Sequence, residues 1–333
     1  MPPAADLGES FRNFFDAVDH FFASLAEIQW ASLALALTFF GIYLSIRARA
    51  SYNVLRAAYP TERFQFREIW GAYMAGYGFN SVIPARGGDV IRLFLTRSAI
   101  PNSSYPAVGA AFVVELGFDL CAGGLAITFT ATQGVLPKLP DLSKLNAFDL
   151  SYFIAHPRFG LFVLTLMAIG VVAGTAILSA RVRAFWTRVK QGLTVIFDRR
   201  RYLRQVWGVQ ALAWLFRFTA FWFMLEAFNI GASVRNVLFV LGVNAMASAL
   251  PFTPGGAGAQ QALLVQVFAG AAAAATVAAY SVGQQIAIAA FSFAMGFFAL
   301  VFVFRIRSFK EVIRRGQEDR AAAKDDVAAP AAG

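Results

Sequence analysis

Long apolar runs alternate with short, mostly basic segments along this chain, and the length of each run decides how it is read. From Glu9 to Ile28, Phe11, Phe14, Phe15, Val18, Phe21, Phe22, Leu25 and Ile28 recur at helical spacing, opposite Arg12, Asp16, Asp19, His20 and Glu27. That pattern predicts an amphipathic helix in the membrane interface, with Ser10 as its cap. Trp30 to Ile46 has the length and apolarity to cross a bilayer and ends in the basic segment Arg47 to Arg67. Tyr105 to Thr130, Phe159 to Leu178, Trp207 to Phe228 and Thr276 to Phe304 read as further spans. Two runs fall short of a span. Ile69 to Ile83 stops at Pro84-Ala-Arg-Gly-Gly-Asp89, after which Val90 to Leu95 resumes, and Val237 to Leu250 stops at Pro251-Phe-Thr-Pro-Gly-Gly-Ala-Gly-Ala-Gln260. Each predicts a hairpin that enters and leaves on one side, because broken backbone at membrane depth is tolerated only where protein or a cavity covers it.

The expected fold is therefore an all-α integral membrane protein with about five full spans and two re-entrant helical hairpins, preceded by the amphipathic interfacial helix. Its parts are an interfacial segment 1–29, a membrane domain 30–305, and a basic then disordered tail 306–333. Sliding the sequence on itself by 168 residues places Arg67 on Arg235 and Gly87-Gly88 on Gly255-Gly256. It also repeats the order of span, short run, Pro and Gly break, half-helix and span. Two halves, about 30–131 and 205–305, then form an inverted repeat linked by the lone span 159–178. The plainer alternative is that apolar helices resemble one another at any offset.

Composition agrees: 58% of the 333 residues are hydrophobic and only 14% charged, which excludes an ordinary soluble domain. The net charge of +10 does not indicate nucleic acid, because the basic residues crowd between apolar runs, where they set orientation and meet anionic headgroups. Segments 47–67, 181–204 and 305–320 hold most of the Lys and Arg, which predicts a cytoplasmic C-terminus and an external N-terminus in a bacterial cytoplasmic (inner) membrane. No cleaved signal peptide is expected, and the single Cys121 allows no intramolecular disulfide.

No catalytic constellation stands out. His20 and His156 lie apart from any Cys or carboxylate cluster, and neither glycine-rich break is a phosphate-binding nucleotide loop, so no metal, no cofactor and no nucleotide-driven pump are expected. What remains is ionisable side chains in apolar runs, each costing roughly 2.5 to 3.5 kcal/mol on insertion scales and so a functional candidate by default. Glu115 and Asp119 share one helix face, and Arg217 and Glu226 lie together in a later span. Arg86, Asp89 and Arg92 lie at the first break, where the N–H groups of Gly87 and Gly88 and the helix dipole favour an anion. Arg86 and Arg92, with Gly87, Gly88, Gly255 and Gly256, are the candidate phosphate-binding residues. Asp89, Glu115, Asp119, Arg217 and Glu226 are candidates for cavity ion pairs or gating. Gln260, Gln261, Gln284 and Gln285 are candidates for polar lining of the cavity. The structural alternative is an ion pair that holds helices together, for example Glu115 with Arg86 or Arg92, and Arg217 with Asp119.

Four stretches taken in order carry a resemblance: Arg47-Ala-Arg-Ala-Ser-Tyr-Asn-Val-Leu-Arg56, Pro84-Ala-Arg-Gly-Gly-Asp-Val-Ile-Arg92, Glu115-Leu-Gly-Phe-Asp119 and Thr253-Pro-Gly-Gly-Ala-Gly258. Together they resemble the flippase-like family that includes the transmembrane region of lysylphosphatidylglycerol synthase. The resemblance implies an all-helical lipid translocator with paired re-entrant helices, handling aminoacylated phospholipid, polyprenyl-linked sugars or related anionic lipids. Carried over by position, Arg86, Asp89 and Arg92 match the family's first break, and Glu115 and Asp119 its acidic helix. Leu116 stands where the family commonly has Arg, and Gln260-Gln261 where it has Arg-Glu. The additional first span common in the family and a soluble aminoacyl transferase domain are not expected here.

The function expected from the whole is translocation of an anionic phospholipid or polyprenyl-linked glycan between leaflets. The partners are then membrane lipids and, through the basic 181–204 segment, a cytoplasmic glycosyltransferase or lipid-modifying enzyme. Two rivals stay open: a membrane-embedded transferase acting on a lipid phosphate, with Asp89 or Glu115 as base, and a non-transporting membrane partner of a glycosyltransferase.

Overall fold

A computed structural model describes residues 27–83, 86–134, 185–248, 259–269 and 273–305. The interfacial helix, the lone span 159–178, the Pro251 to Gly258 break and the tail lie outside those residues. The elements are α1 (Trp30–Ala58), α2 (Phe66–Asn80), α3 (Gly87–Ala99), α4 (Tyr105–Thr132), α5 (Thr194–Phe197), α6 (Arg199–Ala227), α7 (Val234–Ser248), α8 (Ala259–Val267) and α9 (Ala274–Phe302).

Helices α1, α4, α6 and α9 are long and apolar enough to cross a membrane, and the chain is an all-helical, multi-pass membrane protein. Leu120, Leu125, Leu215, Ile286 and Phe297 project outward from α4, α6 and α9, a belt of large apolar side chains that fits hydrocarbon rather than water. Helices α2 and α7 have 15 residues each, about 22 Å at 1.5 Å per residue, which is less than the hydrocarbon thickness of about 30 Å.

Two long helices extend into the basic segments beyond the sequence reading, and α6 begins at Arg199 and not at Trp207. The first helix does not stop at Ile46 but continues through Arg47 to Ala58. The continuation is stable because the buried Arg47 finds the half-buried Asp119 carboxylate on α4, while Val54, Leu55, Ala57 and Ala58 pack with Phe64, Ile69, Ile100, Val108, Val195 and Val206. The basic segment from 185 onward is packed as well. Gln191 donates to the Ala58 carbonyl at 3.1 Å, and a Cβ on Gly192 would collide with the Ala107 carbonyl.

Each short helix shares an apolar cluster with the end of the helix that follows it. Ile69 of α2 and Ile100, just after α3, sit in the cluster around the C-terminal end of α1. Val237 of α7 and Val267 of α8 sit instead in a cluster with Leu33 and Ile230, around the N-terminal end of α1. The long helices α1 and α6 run antiparallel: Gln29 N–H donates to the Ala227 carbonyl at 2.9 Å at one end, and Asn53 donates to the Gln205 carbonyl at 2.7 Å at the other.

The remaining packing is exchanged between halves. Helix α2 lies against α9, and α7 against α4. Small residues allow both approaches: a Cβ on Gly78 would strike the Ser292 carbonyl, one on Gly296 would meet the Met74 carbonyl at 2.9 Å, and one on Gly242 would meet Thr130 and Ala126. Bounds recur as well. Adding 168 to those of α2 gives those of α7, and the bounds of α6 and α9 follow from α1 and α4 by the same shift to within two residues.

Candidate functional site

Three arginines and two carboxylates meet halfway along the bundle. Arg92 lies one turn into α3, where its Nη2 donates to Glu115 Oε1 of α4 at 2.7 Å and to Ser51 Oγ of α1 at 2.8 Å. Its guanidinium carbon also stands 4.3 Å from the Tyr73 ring centroid and 3.9 Å from that of Phe112. Aromatic faces on a cation offset part of its desolvation, so the Arg92 to Glu115 pair is braced on several sides.

One turn further along α4, Asp119 takes both terminal nitrogens of Arg47 in a bidentate grip, with Nη2 to Oδ2 at 2.6 Å. Arg47 Nε donates to the Tyr73 hydroxyl at 2.9 Å. Tyr73 therefore joins the pairs: its ring faces Arg92 and its hydroxyl accepts from Arg47. These two ion pairs are the ones formed among the described residues.

The third arginine is held differently. Arg217 of α6 has its guanidinium carbon 5.0 Å from Trp214, 5.7 Å from Tyr43 and 5.9 Å from Phe221. Its Nε is buried without a hydrogen-bond partner, and it makes no ion pair among the described residues. Counting formal charges on Arg47, Arg92, Arg217, Glu115 and Asp119, the cluster carries one positive charge more than it balances. A half-buried guanidinium without an ion-paired carboxylate is costly in this setting, and an anion with two or more oxygens would relieve it bidentately.

The other sequence-predicted residues divide between packing and polar contacts. Arg86 is the left-handed cap of α3, with φ 56° and ψ 37°, and its side chain is exposed at the hairpin tip. Gly88 is there for close packing, since a Cβ would run into the Gly76 carbonyl and meet Asn80 N at 2.5 Å. Gly87 faces the Ile83 side chain. Asp89 accepts from Asn80 Nδ2 at 2.7 Å, so it ties the arms of the first hairpin together rather than pairing with Arg92. Glu226 lies near the far end of α6 and forms no ion pair among the described residues. Gly255 and Gly256 lie outside the described residues.

The second half answers these charges with amides. Gln260 Nε2 donates to Asn244 Oδ1 at 2.8 Å, which ties α8 to α7. Gln261 Nε2 donates to Gln285 Oε1, which ties α8 to α9. Gln284 is buried with neither amide atom bonded, and the Tyr280 hydroxyl one turn earlier is likewise buried and unbonded.

Sequence reasoning joined Glu115 to Arg92 among its alternatives, but it offered Asp119 to Arg217 and missed Arg47, Ser51 and Tyr73. A signal for Arg47 was present: Ala48, Ser51, Val54 and Leu55 continue the helical spacing of small and apolar residues beyond Ile46. Read that way, Arg47 belongs to the helix and not to the loop.

The family comparison turns on how much of this arrangement is shared. The chain matches the family described as the lysylphosphatidylglycerol synthase TM region over residues 14–296, which takes in α1 to α8 and all three arginines. It belongs to that family. No curated protein matches it. Membership in the lysylphosphatidylglycerol synthase TM-region family associates the chain with membrane lipid.

Proposed function

We propose that this protein is a translocator that moves an anionic phospholipid or a polyprenyl-linked glycan between the leaflets of the cytoplasmic membrane. The observation that carries the reading is Arg217, a half-buried cation with a buried, unbonded Nε, set among aromatic rings beside two complete ion pairs and one negative charge short of balance. A headgroup phosphate supplies that charge. Because Arg217 sits beside the Arg47 to Asp119 pair, a bound phosphate competes with Asp119 for Arg47, and loosening of that pair reaches Arg92 and Glu115 through Tyr73. Arg86, exposed at the tip of the first hairpin, offers a second cation on the way.

Alternating exposure requires two gates. The fold supports an inverted repeat with two re-entrant hairpins: α2 and α3 open at one end of the bundle, α7 and α8 at the other, and each packs on the terminal span of the opposite half. Arg67, the 185–204 segment and Arg305 gather at one end, which supports a cytoplasmic C-terminus.

The test is translocation in proteoliposomes carrying a labelled anionic phospholipid or a polyprenyl-phosphate sugar. Wild type moves one of them, Arg217→Met loses at least tenfold of that rate, and Arg92→Ala and Glu115→Gln are also impaired. If neither lipid moves and product forms from an added sugar donor, the protein is a transferase and the translocator reading is wrong.

A further inference from the structure

Helix α6 carries a row of buried polar atoms that leads into the charge cluster at Arg217. Trp207, Gln210, Trp214 and Arg217 follow one another at steps of three and four, so they share one face. Along that face Trp207 Nε1, both amide atoms of Gln210 and Arg217 Nε are buried and lack a hydrogen-bond partner, and Trp214 Nε1 is buried with the Asp119 carboxylate within its reach. Gln210 is only 1% exposed. Each such group forgoes roughly 1 to 3 kcal/mol relative to a satisfied one, so a run of them along one face points to a ligand that completes them.

The start of the row is marked independently. Residues Leu203–Trp207 form a π-helical turn, a distortion that is frequent at functional sites. The turn leaves the Gln205 carbonyl to accept from Asn53 of α1 and turns Trp207 toward Phe118 of α4, with ring centroids 5.2 Å apart. Phe118 also faces Trp214 at 6.4 Å, so one apolar ring fills the space between the two indoles. Arg199, Arg200, Arg201 and Arg204 precede the row, and Arg217 ends it about 15 Å further along at 1.5 Å per residue.

The chemistry of the row defines its ligand. Indole and guanidinium groups only donate, whereas the Gln210 carboxamide both donates and accepts. Their complement is a group rich in acceptor oxygens that also carries a donor: a phosphodiester whose headgroup bears hydroxyls. We propose that this face of α6 is a headgroup track, along which a hydroxyl-bearing phosphodiester passes from the arginine-rich end to the charge cluster by displacing Phe118, with Gln210 reading the hydroxyl. The proposal rests on the translocator reading and adds to it the subsite and the residue that discriminates headgroups.

The test uses the full-length protein in detergent with four probes: short-chain phosphatidylglycerol, short-chain phosphatidylmethanol, short-chain phosphatidylcholine and inorganic phosphate. Tryptophan emission reads binding. Phosphatidylglycerol is expected to shift the emission and to bind about fivefold to tenfold tighter than phosphatidylmethanol, a hydrogen bond's worth of discrimination. Gln210→Met removes that preference, and Trp214→Phe removes most of the emission shift. Both substitutions nearly conserve volume, and Trp207→Phe gives a third variant if either fails to fold. Equal binding of phosphatidylglycerol and phosphatidylmethanol by wild type, or binding of inorganic phosphate as tight as that of lipid, overturns the track. Parallel flux measurements in proteoliposomes separate the two claims. Flux of phosphatidylglycerol that Gln210→Met and Trp207→Phe leave unchanged sinks the track and keeps the translocator, whereas Gln210-dependent binding with no flux by wild type keeps the track and sinks the translocator.

Discussion

In the first half of the membrane part the helices meet through charges, Arg92 against Glu115 and Arg47 against Asp119, while in the second half they meet through neutral amides, Gln261 against Gln285 and Gln260 against Asn244. The described helices of the two halves correspond in order and length: a long helix, a 15-residue helix, a shorter helix and a second long one. The difference teaches that the frame and the chemistry are separable. Glycines at helix crossings set the frame in both halves, and only one half places ionised groups within it. Ion pairs buried away from water are strongly destabilised by loss of one partner, whereas an amide contact loses about one hydrogen bond.

The largest expected effect comes from breaking the charged side of that comparison. Glu115→Leu leaves the Arg92 guanidinium buried with only Ser51 and two rings around it, and should cost about 3 to 5 kcal/mol of stability. Reversible unfolding in mixed micelles measures it. The double variant Arg92→Met with Glu115→Leu should recover most of the loss, because two apolar side chains replace the pair. If the single and double variants lose the same amount, the pair is not coupled and the charged half is no more fragile than the neutral one.

A smaller effect tests the shared frame. Gly88→Ala pushes a methyl group into the Gly76 carbonyl and Asn80 at the tip of the first hairpin, and should destabilise by about 1 to 3 kcal/mol. Gly109→Ala, with nothing within 4 Å of the added carbon, should be neutral or slightly stabilising, since alanine is the better helix former. Equal effects at the two positions would mean that the arms of the hairpin do not touch as described.

Arg217→Met divides stability from function. Because Arg217 has no carboxylate to abandon, its loss should change stability by no more than about 1 kcal/mol, while translocation falls at least tenfold. Destabilisation as large as that of Glu115→Leu would place Arg217 in the structural network instead.

Why some of this was legible in the sequence and some was not follows from which residues carry period and which carry contact. Run length fixed the long helices and the two short ones, since bilayer thickness sets a length that hydropathy reveals. Glu115 with Asp119 was legible because residues four apart share a face whatever lies opposite. The partner of Asp119 was not, because Arg47 stands at the end of an apolar run and looks like the start of a basic loop until α4 supplies its carboxylate. Nor was the role of Gly88: glycine at a break fits both a phosphate cradle and a tight crossing, and only the Gly76 carbonyl opposite decides. The Trp207, Gln210, Trp214 and Arg217 face has helical spacing, but lack of partners is a three-dimensional property that no spacing can show.

The smallest effect bears on the neutral half. Gln285→Leu removes the acceptor for Gln261 and joins a helix whose neighbouring Gln284 already has both amide atoms unbonded. Interhelical hydrogen bonds within membranes average about 0.6 kcal/mol in measured cycles, so the loss should stay near that value and well below that of Glu115→Leu. Pairing Gln285→Leu with Gln261→Leu should cost less than the two single changes summed, since both changes remove the one hydrogen bond the side chains share. The same unfolding assay makes the comparison direct. Should Gln285→Leu instead cost as much as breaking the Arg92 to Glu115 pair, α8 and α9 would be held by a network as tight as the charged one, and the contrast between the two halves would reduce to residue type without a difference in energy.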